Sequence, residues 1–169
     1  SRPITATNAA NPRFYNDPKG TAGTAQTGNP NGHIVRFADD GANPAALTFK
    51  WDVYLFGARS TASADVNLSQ LGADNDFSSP DGMWFSQANP GLLWLETDDG
   101  AYTDVTNCML LAAIPGKVGD GAARTITNVS GATTATQATF VGKAPGADGL
   151  RRFLVGPKDC EITGIAESG

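Results

Sequence analysis

The sequence predicts an all-β chain, part of a β-propeller: about one complete four-stranded blade plus flanking strands. Three observations carry the prediction. Short apolar and aromatic runs alternate with Pro, Gly, Asn and Asp, most clearly in FSSPDGMWFSQANPGLLWLE over residues 77–96, as in strands joined by tight turns. With 20 Gly and only 17% charged residues in 169, the composition suits a loop-rich β-protein better than a helical bundle. Finally, Asp81 stands at the mouth of the first strand of this stretch and Glu96 and Asp98 at the exit of the second. Carboxylates at strand ends are how a propeller builds a site on its central channel. A small sandwich of the same strands is the alternative.

In chain order, residues 1–31 are rich in Asn, Pro, Gly and Thr and lack apolar periodicity, which predicts an irregular loop segment. The domain proper then runs over 32–169. GHIVRFA at 32–38 alternates as a strand, and LTFKWDVYLFG at 47–57 is the best strand of the chain. Its Thr48, Lys50, Asp52 and Tyr54 are expected on one face, with Phe49, Trp51, Val53 and Leu55 on the other. Met83–Phe85 and Leu92–Leu95 are the first two strands of the blade, Cys108–Ile114 the third and Leu150–Val155 the fourth. Residues 117–149 are expected as an inserted hairpin, with strands at Arg124–Val129 and Thr136–Gly142. Residues 161–166 are expected to begin the innermost strand of a next blade, which would make the chain a piece of a larger ring.

The bulk numbers exclude some functions. A net charge of −5, from 17 acidic and 12 basic residues, argues against nucleic acid, because a phosphate backbone needs a basic face. No apolar run approaches a membrane span. The opening SRPITATN has neither the basic n-region nor the apolar h-region of a signal peptide. Cys108 and Cys160 have no zinc or CxxC spacing; buried thiols or, in an oxidising compartment, a disulfide both remain open. His33, the single histidine, has no Ser or Asp motif around it, and GxSxG, HExxH and P-loop motifs are absent from the sequence.

The ordered set PDGMWF, GLLWLETD, NCMLLAA and RRFLVGPKDCEITG, preceded by GHIVRF, ALTFKWDVYLFG and Asn11-Pro12-Arg13, resembles the C-terminal half of the PhoX alkaline phosphatases over most of residues 8–166, with 117–149 as the departure. The resemblance implies a propeller fold and a periplasmic or secreted phosphomonoesterase. It also implies calcium dependence and a mixed iron–calcium centre in the channel. It casts the chain as a C-terminal-half fragment, inactive alone, whose open edges are covered by remaining propeller blades or by self-association. A non-catalytic calcium-binding β module and a propeller lactonase are the alternatives.

Asp81 is the first candidate metal ligand, since calcium and ferric iron are hard cations that prefer such oxygens. Glu161 takes the equivalent place on the next expected strand, between Cys160 and Ile162, where a carboxylate calls for a cation or an Arg. Asp98 is the third candidate; the turn sequence Asp98-Asp99-Gly100 also explains it without a ligand. Asn107 is weaker, and Glu96 reads as an exposed strand residue. Asp39 and Asp40 read as turn residues before Gly41. Arg2 and Arg13 are candidates to clamp the phosphate of a monoester substrate, because guanidinium offers bidentate donors. The resemblance places the family's iron-binding cysteine in an earlier blade, not at Cys108 or Cys160.

Overall fold

The structure, a computed structural model, describes residues 3–17, 26–98 and 107–168. Among these residues the fold is all-β, in two four-stranded sheets and one two-stranded sheet. The two-stranded sheet pairs β1 (Tyr15–Asp17) with β2 (Gln26–Gly28). The next sheet has the order β3-β4-β9-β8, from β3 (His33–Asp39), β4 (Phe49–Phe56), β8 (Ala122–Ser130) and β9 (Thr133–Val141). The third has the order β10-β7-β6-β5, from β5 (Pro80–Phe85), β6 (Leu93–Thr97), β7 (Met109–Ala113) and β10 (Leu150–Val155). It is a plain up-and-down antiparallel sheet. Neither four-stranded sheet closes on itself, so the fold class stands at all-β.

β4 organises the packing. Its residues Asp52 to Phe56 are all buried, and they feed two cores. Tyr54 and Leu55 join Ile34 and the inner face of the third sheet, Leu93, Leu95, Met109, Leu111 and Leu150. Val53 and Phe56 join Leu68, Ile126 and Val141, with Trp51 packed against them. The expected face of Phe49, Trp51, Val53 and Leu55 is therefore split. The cause is a bulge: Ile34 pairs with Leu55 but Val35 with Val53, leaving Tyr54 as the extra residue. A bulge re-aims the side chains beyond it.

β8 and β9 pair with each other over nine registers and lie in the sheet of β3 and β4, not in the sheet whose strands flank them in sequence. Their ladder to β4 is a single parallel pair, Val53 with Val141; core packing of Ile126 and Val141 and a charged clamp add to it. Arg36 donates through Nε and Nη2 to the buried Asp52 at 2.7 and 2.9 Å, through Nη1 to the Pro115 carbonyl, and through Nη2 to Asp120. Burial lowers the Arg36 pKa, but its hydrogen bonds to Asp52 and Asp120 outweigh that and leave it raised.

Two segments differ from the sequence expectation. The first 31 residues are not wholly irregular: besides β1 and β2 they carry a 3-10 turn at Ile4–Ala6. They are tied down by long-range bonds that no local pattern announces. Asn128 accepts from the Phe14 N–H at 2.6 Å and donates to the Pro12 carbonyl at 2.8 Å, and Thr139 donates to the Ala9 carbonyl at 2.6 Å. Residues 161–166, expected to begin a strand, have no ladder partner and form none. Residues 18–25 of the expected loop segment, and residues 99 and 100 of the turn that Asp98 begins, lie outside the described residues.

Candidate functional site

Antiparallel order brings the start of β5, the end of β6, the start of β7 and the end of β10 to one end of the third sheet. Asp81, Glu96, Asp98, Asn107 and Glu161 all belong to that end. The entry into β5 is fixed by backbone bonds: the Ser79 N–H donates to the Asn31 carbonyl at 3.0 Å, and the Asp98 N–H donates to the Ser79 carbonyl at 3.1 Å.

A second bulge shapes the site. Pro80 pairs with Thr97 and Met83 with Leu95, so Asp81 and Gly82 together stand opposite Glu96 alone. Glu96 is 4% exposed, and its Oε1 has no hydrogen-bond partner. Its Oε2 would clash with a Cβ on Gly82, so the carboxylate holds this position because residue 82 is glycine. Burial, and next the Asp81 charge, push the Glu96 pKa up. A buried carboxylate with a lone pair unmet and a second carboxylate beside it is costly unless it takes up a proton or a cation joins it.

Asp98, Asn107, Cys108, Lys158, Cys160 and Glu161 line one shallow depression of about 250 Å³ at the same end. The structure thus brings two of the expected metal ligands, Asp98 and Glu161, to one lining, and sets Asp81 against Glu96. Asp81, Asp98 and Glu161 are exposed. Neither cysteine is in a disulfide; Cys108 is buried and Cys160 half-buried. Among the described residues no set of three or more His, Cys, Asp and Glu side chains is arranged to hold a metal.

Arg13 is elsewhere and fully engaged. It is 2% exposed and lies between the Tyr15 and Phe56 rings. Its Nε and Nη2 donate to Asn29 at 2.9 and 2.6 Å. The other bonds go to the carbonyls of Val66, Gly32 and Gly57 at 2.6–3.0 Å. Burial lowers its pKa to about 10. Arg2 lies outside the described residues. His33 is structural as well, in hydrogen-bond contact with Ala10 and Asn29. A larger cavity of about 490 Å³ opens at the other end of the sheet, where Arg151 and Arg152 are already paired with Asp148 and Asp76.

Glu96 is the residue that sequence reasoning missed. Alternation put it on a face expected to be open; its signal was a charged residue between Leu95 and Thr97 across from a glycine.

The fold thus defines an all-β protein that gathers carboxylates at one end of an antiparallel sheet. Comparison with known families matches residues 4–169 to alkaline phosphatase PhoX, and the chain belongs to that family. The match takes in nearly the whole chain and runs through 117–149. It overturns the expectation of a C-terminal-half fragment. No curated protein and no solved structure matches the chain. Family membership supports a phosphatase-type hydrolase. No helix among the described residues is long and apolar enough to cross a membrane.

Proposed function

We propose that the protein is a phosphomonoesterase whose calcium and iron are held at the Asp81–Glu96 end of the third sheet. The observation that carries this reading is the buried Glu96 carboxylate, with Oε1 unpartnered and room made for it by Gly82. Calcium and ferric iron are hard cations, and carboxylate oxygens are the donors they take. Asp81 and Glu96 are the proposed core of the site, with Asp98 and Glu161 as further ligands from the same end. A cation bound there supplies charge to neutralise phosphate oxygens and acidity to a bound water.

The chain's own residues hold and orient. The bulge at Asp81–Gly82 sets Asp81 across from Glu96, and the Ser79 bonds to Asn31 and Asp98 keep the bulge in place. Arg13 is proposed as a positioning residue: its bonds to Gly32 and Gly57 brace the loop whose Asn31 carbonyl receives the Ser79 N–H. The up-and-down sheet of β5, β6, β7 and β10 is read as one propeller blade, with its Asp81 end toward the channel. The proposed compartment is the periplasm or the extracellular medium, in keeping with the family.

The test is hydrolysis of p-nitrophenyl phosphate with calcium and iron supplied. Glu96→Gln is expected to lower kcat/KM roughly 10- to 100-fold, with Asp81→Asn acting in the same direction. Unchanged hydrolysis in both variants would overturn the site. Hydrolysis of lactones with calcium alone, and no competition by inorganic phosphate, would favour a lactonase instead.

A further inference from the structure

Glu167 occupies a nest of donors at the β5–β6 hairpin. One carboxylate oxygen accepts from the Gln87 N–H at 2.6 Å and the Ala88 N–H at 3.3 Å. The other accepts from the Trp94 indole N–H at 3.0 Å. Successive backbone N–H groups in a turn, joined by an indole donor, make a carboxylate receptor. A bond from the Ser86 side chain, and after it those from Trp94, Gln87 and Ala88, hold the Glu167 pKa down at about 2.

The path leading to this latch crosses the face that carries the candidate cation site. Gly156 donates its N–H to the Cys108 carbonyl at 2.9 Å, beside the start of β7. A turn follows, closed by Cys160 N–H on the Pro157 carbonyl at 3.2 Å. The Ile162 side chain then lies back within van der Waals reach of a Cβ built on Gly156. From that end the chain must reach the hairpin tip at the opposite end by Glu167. Five steps of an extended chain span about 17 Å, the length of a five-residue strand. Ile162, Ile165 and Glu167 are half-buried along the way. The face crossed is the one bearing Trp94, since Leu93 and Leu95 point into the core. Glu96, two residues beyond Trp94 in a regular stretch of ladder, shares that face. Its 4% exposure on an outward face calls for a cover.

We infer that residues 161–167 form a strap, latched by Glu167 in the Gln87–Ala88–Trp94 nest, that lies over the Glu96 carboxylate and gates the entry of a cation to it. The gate rests on the cation reading proposed above; the latch does not.

The test uses the full chain, calcium as the probe in calorimetry and terbium as its luminescent stand-in for association rates, and amide hydrogen exchange at Gln87 and Ala88. Glu167→Gln keeps the shape and removes the charge; Trp94→Phe removes the indole donor. In both, Gln87 and Ala88 are expected to lose protection at least tenfold, and terbium association is expected to quicken severalfold. Unchanged protection would overturn the latch. Lost protection with unchanged association would overturn the gate while leaving the cation site intact. Calcium binding equally well to Glu96→Gln, or to no form at all, would instead overturn the cation reading and the gate with it, and the exchange data would still report on the latch.

Discussion

Glu96 and Asp81 are both strand-end carboxylates, yet their surroundings differ: Glu96 is buried with an unmet oxygen and Asp81 is exposed. The sequence pointed to Asp81 through its turn, because turn chemistry is local and visible. It did not point to Glu96, because that burial depends on a bulge and on chain crossing from elsewhere. The glycine between them is the sharper probe. A methyl group at 82 would overlap the Glu96 Oε2, so Gly82→Ala must push the carboxylate aside. Calcium affinity in this variant is expected to fall at least tenfold by calorimetry, while chemical denaturation finds a folded protein. Undiminished affinity would mean that the cradle at Gly82 does not shape the site. Arg13 illustrates the opposite outcome at this scale. A guanidinium near an irregular segment invites a phosphate reading, yet here each of its three nitrogens meets a protein acceptor.

At the scale of elements, strands with strong alternation or apolar runs were legible: β4, β6, β7 and β10 lie within a residue or two of where their sequences place them. Pairing across long separations was not. The β8–β9 hairpin shares one parallel register pair with β4, too little to leave a pattern in its own residues. Its position relies as well on Ile126 and Val141 in the second core and on the Arg36 clamp. Asp52 is fully buried and accepts from Arg36 at two atoms and from the Gly119 N–H at 2.6 Å. Removing one partner of a buried ion pair costs about 3–5 kcal/mol when the other is left alone; Arg36 keeps Asp120 and the Pro115 carbonyl, so losing Asp52 costs less, about 1–3 kcal/mol. Asp52→Ala is therefore expected to destabilise the protein by about that smaller amount in urea denaturation, with hydrogen exchange rising first at 115–121 and in β9. A change under about 1 kcal/mol would show that the clamp is dispensable. The run at 161–166 shows the limit of propensity: its residues suit a strand, but a strand needs a ladder partner, and here the segment is held by its Glu167 end.

For the whole molecule, the all-β class followed from composition and punctuation, which are global properties of the chain. The closure of a ring did not follow, since closure depends on edges rather than on strands. Both edges of the third sheet carry exposed apolar side chains, Met83, Trp84 and Phe85 on β5 and Phe153, Leu154 and Val155 on β10. The family resemblance read from the ordered motifs points to the same family as the match over residues 4–169, whereas its restriction to half of a member does not stand. What joins fold to function is the claim that one end of this sheet is built for a hard cation, carried by the buried carboxylate of Glu96. Calorimetric titration of metal-stripped protein with calcium, wild type against Glu96→Gln, tests that claim most directly. The account predicts binding to the wild type and at least a tenfold weaker affinity in the variant; equal binding in both would contradict it.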